Sequence, residues 1–105
     1  MSVNSGSEVR RHKPHAMVVM DRPRRLPDGR LTAHLLSDRA GPAGYRELMP
    51  VALALGCHPR ALQEPGTYKE HFDLMGEKRI GAALAHPDIA TVTWRRIADI
   101  PKAKR

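Results

Sequence analysis

Two segments of helical period are set among short apolar runs of strand character, and this alternation constrains the fold more than any other feature. "YRELMPVALALG" (45–56) spaces Leu48, Ala52 and Leu55 along one helical face and ends on the stop signal Gly56. "LMGEKRIGAALAH" (74–86) predicts a second helix with Leu74, Ile80, Ala83 and Leu84 inward, halted by Pro87. Around them lie "AMVVM" (16–20), "RLTAHLLSD" (30–38) and the β-branched "IATVTW" (89–94), each of strand length. "RPRRLPDG" (22–29) reads as a loop turning at Asp28-Gly29, and "CHPRALQEPG" (57–66) as a loop with room for a short edge strand. "WRRIADI" predicts a short final helix stopped at Pro101. Pro50 is awkward inside the first helix, since proline deletes one hydrogen bond and clashes with the preceding turn. The helix is therefore expected to start late, near Met49, or to kink.

The order strand, strand, helix, optional strand, helix, strand predicts an α/β fold: a small single-layer mixed sheet of three to four strands with two main helices packed on it. At 105 residues the chain has room for one domain. That domain is expected over 15–101, between a disordered basic tail (1–14) and a short basic tail (102–105). Aromatic residues are only 4% of the chain, so the core must rest on aliphatic side chains and methionine. No run approaches the roughly 18 apolar residues of a membrane span. The stretch "MSVNSGSEVRRHKPH" has no apolar segment of signal-peptide type. A cytoplasmic protein without membrane contact is expected. The single cysteine, Cys57, excludes an internal disulfide or a cysteine-rich zinc site.

The formal net charge of +7 is concentrated in "RRHKPH", "RPRR", "WRR" and "KAKR". Such an excess favours polyanions through counterion release whatever their sequence. Tyr45, Tyr68, Phe72 and Trp94 are scattered rather than interleaved with basic residues, which speaks against a single-strand stacking platform. There is no GxxxxGK[ST] loop, no GxGxxG, no HExxH, no paired CxxC and no serine elbow.

The polar residues that stand out are therefore isolated ones. His34 lies mid-strand with Thr32 and Leu36 on its face, suited to a backbone-bonded core role or to proton transfer and ligation. Asp21 and Asp38 fall at two predicted strand ends. If those strands are parallel, Asp21, His34 and Asp38 are candidate ligands for a divalent metal such as Mg, Mn or Zn. Asp73 is placed to cap the second helix. If the chain is instead extended there, Asp73 shares a face with His71 and orients its imidazole, making His71 and Asp73 a candidate catalytic pair. Lys78 and Arg79 oppose the helix dipole at that helix start unless an anion sits there. With His34 and Arg22 they are candidate anion-binding residues.

The pieces "VVMDR", "AHLLSD", "ELMPVALALG", Gln63, "HFDLMGEKR" and "TVTWRR", in this order and spacing, resemble a family of small bacterial and phage proteins. It is the domain-of-unknown-function family numbered four-zero-three-one. The resemblance covers roughly residues 17 to 97. It implies that Asp21, His34, Asp38, His71, Asp73, Lys78 and Arg79 are the family's polar positions. Two departures stand out: Met49 and Pro50 replace the histidine and alanine usual in the family helix, and Ala61 and Leu62 stand where aromatics are common. The family name supplies no activity. Three functions follow as expectations: binding of nucleic acid or a nucleotide phosphate, metal-dependent cleavage of a phosphoester or nucleotide bond, and docking of a protein partner on a basic face.

Overall fold

The computed structural model describes residues 18–105, and the expected N-terminal tail lies outside them. Five strands and three helices follow in the order β1 (Val18–Asp21), β2 (Arg24–Arg25), β3 (Leu31–Ser37), α1 (Gly41–Ala54), a 3₁₀ turn (Pro59–Ala61), β4 (Phe72–Met75), α2 (Glu77–Ala85), β5 (Ile89–Val92) and α3 (Trp94–Lys104). β3 is central. On one side it pairs antiparallel with β1 and, further along, with β2. On its other side it pairs antiparallel with β4. β5 adds parallel to β1, so the sheet is mixed.

Alternation along the strands sorts side chains onto two faces. Val18 and Met20, Ala33 and Leu35, and Phe72 and Leu74 point to one face, where Leu48 and Ala52 of α1 and Ile80 and Ala83 of α2 close the main core. Val19 and Leu36 point the other way and are covered by Ile97 and Ile100 of α3. The sheet is thus a single layer with helices on both faces. No helix among the described residues is long and apolar enough to cross a membrane.

Several boundaries differ from expectation. α1 begins at Gly41 with Pro42 in its first turn, where proline needs no amide hydrogen, and runs on through Pro50. Pro50 is exposed, so the carbonyl it leaves unpaired lies on the solvent side. Residues expected as pure loop contribute the two-residue β2, while the turn at Asp28-Gly29 stands, closed by Gly29 N–H donating to the Leu26 carbonyl. No strand forms over 57–66. That segment gives the 3₁₀ turn, and Gln63 makes an isolated bridge to His71.

Asp73 does not cap a helix. It lies inside β4, because buried Phe72 and Leu74 alternate with outward Asp73. Gly76, at a φ of 95° that suits glycine, instead turns the chain into α2. The final helix passes Pro101 and takes in most of the expected C-terminal tail. Its Thr93 cap accepts from Arg96 N–H, and Lys104 donates to the Ser37 carbonyl at 2.9 Å.

Phe72 is fully buried between sheet and helices. Phe72→Ala is expected to lower unfolding free energy by about 3–5 kcal/mol, read as a shift of the urea midpoint without change in slope.

Candidate functional site

On the face that α3 covers only in part, the strand register brings four predicted residues together. His34 of β3 is paired directly with Asp73 of β4. His71 precedes Asp73 by two residues and so leaves the chain on the same side. Asp21 ends β1 and is only 5% exposed. Its carboxylate accepts from the His34 backbone N–H at 2.7 Å and faces His34 Nδ1 at 2.8 Å. An ionised carboxylate only accepts, so the imidazole proton resides on Nδ1 and Nε2 is left toward solvent. The hydrogen bond to Asp21 raises the His34 pKa above the ordinary imidazole value. Partial burial opposes that rise, the charges of Asp21 and Asp73 assist it, and Arg24 works against it.

His71 is held the same way by a different acceptor. Its Nδ1 lies 2.7 Å from the Lys69 carbonyl, and its Nε2 lies 3.3 Å from Asp73 Oδ1. The same carboxylate oxygen is 3.9 Å from His34 Nε2. The two rings stand 5.7 Å apart between centroids, inclined at 66°. Both border a cleft of about 460 Å³, between the sheet, the 64–71 loop and α3. Tyr68, Lys69, Lys102 and Arg105 line it as well. Lys69 Nζ and Arg105 Cζ lie 5.7 and 5.8 Å from the Tyr68 ring centre, so one aromatic ring seats two cations at the mouth.

Four other predicted residues stay out: Asp38, Lys78, Arg79 and Arg22. β1 and β3 run antiparallel, which puts Asp21 and Asp38 at opposite ends of the pair, roughly 13 Å apart along the strand. The expected Asp21, His34, Asp38 metal set therefore does not converge. Among the described residues no group of three or more His, Cys, Asp or Glu is arranged to hold a metal. Asp38 has a buried Oδ1 without a hydrogen-bond partner and lies near Lys104, whose pKa burial lowers against the pull of Glu70 and Asp38.

Arg79 donates to the carbonyls of Leu55 (3.2 Å) and Gly56 (3.0 Å) at the end of α1. A cation there complements the helix dipole, so the charge that looked misplaced on α2 serves the terminus of α1. Lys78 is exposed beside Arg79 in a separate hollow at the α1–α2 junction.

Arg22 contributes its carbonyl, which accepts from Trp94 Nε1–H at 3.0 Å. Arg24, whose Cζ lies 5.7 Å from the centre of the Trp94 ring, stands outside the cleft lining and acts on His34 through its charge. Met49, where the resembled family has histidine, packs into the main core on the opposite face, away from the imidazole pair. Cys57 is also on that side, buried, its thiol pKa raised by desolvation against the lowering charge of Arg79.

Lys69 lies in a turn before His71, so strand alternation does not foretell its place in the cleft. Nor were Lys102 and Arg105 legible, because their role depends on a helix continuing past a proline.

Comparison with known proteins gave no matching family model, no similar curated protein and no similar solved structure.

The sign of the Asp21–His34 coupling is testable. A raised folded-state pKa stabilises the protein fully below the unfolded value, about 6.5, and that stabilisation is lost as pH rises through the folded value. NMR titration is expected to place His34 above 6.5 in the native chain and to bring it down in Asp21→Asn. The melting temperature of the native chain should fall, relative to the variant, as pH rises through the same interval. A His34 midpoint unmoved by the substitution would remove the coupling.

Proposed function

We propose that the cleft binds the phosphate of a nucleic acid or nucleotide. The observation that carries this reading is the convergence of two anchored imidazoles, each with Nε2 turned to the position of Asp73 Oδ1, beside Lys69 and Arg105 held on the Tyr68 ring. Imidazolium, ammonium and guanidinium all donate to phosphate oxygens, and charge-assisted bonds of this kind are the stronger class. The chain's excess of 18 Lys and Arg over 11 Asp and Glu supplies the long-range attraction.

The local balance is tighter than the global one. Asp21, Asp73 and Glu64 offset much of the charge of Lys69, Lys102 and Arg105 while the imidazoles are neutral. Protonation of His34 tips the cleft positive. Affinity for an anion should accordingly increase as pH falls through the His34 titration.

The metal-dependent alternative loses the ligand set expected for it, since Asp38 stands apart. The phosphate reading needs only the groups already gathered.

Fluorescence anisotropy with short labelled single-stranded RNA and DNA tests it. Binding is expected at about 50 mM salt and should weaken steeply as salt rises. Lys69→Ala and Lys102→Ala should each lower affinity and reduce the slope of log affinity against log salt by about one. Absence of binding to either oligonucleotide at that low salt would dismiss the proposal.

A further inference from the structure

We propose that the His34–His71 pair cleaves RNA by general acid–base catalysis, with the substrate's own 2′-hydroxyl as the nucleophile. This rests on the reading of the cleft as a phosphate site and adds a reaction to it.

Asp73 marks the place. One of its oxygens lies 3.3 Å from His71 Nε2 and 3.9 Å from His34 Nε2, so a single oxyanion position faces both rings. The Asp73 side chain is about half exposed and can swing out, leaving that position to a phosphoryl oxygen. Each ring has its other nitrogen committed: His34 Nδ1 to the buried Asp21 carboxylate, His71 Nδ1 to the Lys69 carbonyl. The reactive nitrogen is therefore the same one on both rings, and both rings are fixed in orientation. Two imidazoles around one phosphate are what an in-line displacement needs, one to take a proton and one to give it.

No serine, threonine or cysteine lines the cleft, and Cys57 is buried on the far face of the sheet. Tyr68 carries the one hydroxyl in the lining, at the mouth beneath Lys69 and Arg105, so the nucleophile assigned here is the substrate's own. A ribose 2′-hydroxyl is already tethered beside its phosphorus, which removes the entropy cost of bringing in a second molecule.

The roles follow from the anchors. A carboxylate behind His34 stabilises its imidazolium, so His34 is the acid. A neutral carbonyl behind His71 fixes the tautomer that bears a lone pair on Nε2 once Asp73 has moved away, so His71 is the base. His71 Nε2 takes the proton of the 2′-hydroxyl as the 2′-oxygen bonds to phosphorus. The bond from phosphorus to the 5′-oxygen breaks, and His34 Nε2–H protonates that oxygen. The products are a 2′,3′-cyclic phosphate and a free 5′-hydroxyl. Exchange with water restores both rings. Lys69 lies beside the phosphate and counters charge on its non-bridging oxygens. Asp21 is a positioning residue, since it acts through His34.

The experiment uses an otherwise all-deoxy oligonucleotide with one ribonucleotide, next to its fully deoxy counterpart, with the full chain in EDTA. Expected is a single cut on the 3′ side of the ribose, yielding a cyclic phosphate, while the fully deoxy strand binds and stays intact. His34→Gln and His71→Gln, prepared identically and checked for unchanged melting, should each lose about 100-fold or more in cleavage rate. Gln at 34 can still donate to Asp21, which guards against simple unfolding. Asp73→Asn should bind both strands more tightly, because the competing carboxylate is gone.

If both strands bind and neither is cut, the catalytic inference is overturned and the phosphate-binding reading stands. If neither binds, both fall. Cutting that needs added Mn²⁺, that leaves a 3′-hydroxyl, or that persists undiminished in both Gln variants also overturns the inference.

Discussion

β3 has a partner along each edge, and that commitment governs everything around it. Its backbone groups are spent on β1 and β2 to one side and β4 to the other, with the His34 N–H given to the Asp21 carboxylate in the gap between β1 and β2, so only its side chains are free to choose an environment. Ala33 and Leu35 take the oily layer under α1 and α2, and His34 is forced out on the opposite side. A histidine on an apolar-looking strand is thereby neither a core filler nor a loose surface group. It is delivered to the one partly covered face, with Asp73 opposite it in register.

Burial of Asp21 is the second constraint. A carboxylate at 5% exposure is costly unless its lone pairs are occupied, and here the His34 amide and ring nitrogen both point at it. The strand end and the ring orientation thus depend on each other. β1 and β3 keep their register partly because the acid at the end of one is satisfied only by the middle of the other. At Asp21 and His34 the polar site is in this sense part of the scaffold.

Much of this was readable from residue order, and the failures have definite causes. The alternation of Thr32, His34 and Leu36 against Ala33 and Leu35 gave the correct faces because period-two patterning is local. His71 and Asp73 were correctly linked by an extended chain. The helix-cap reading of Asp73 failed because Gly76, with its positive φ, moved the helix start three residues on. The pairing of Asp21 with Asp38 failed for a non-local reason: strand direction is not written in either strand, and β3 returns antiparallel. Arg79 was misread because its partners, the carbonyls of Leu55 and Gly56, belong to another helix. Pro50, expected to delay or kink its helix, and Pro101, expected to end one, both lie inside continuous helices.

The isolation of Cys57 has a practical side. The chain's single thiol is sealed beneath the far layer of the sheet and held in its protonated, unreactive form. Any cysteine engineered at the mouth beside Tyr68 would consequently be the lone group open to a maleimide dye or spin label. Movement of the loop over the sheet could then be followed spectroscopically without first deleting the native sulfur.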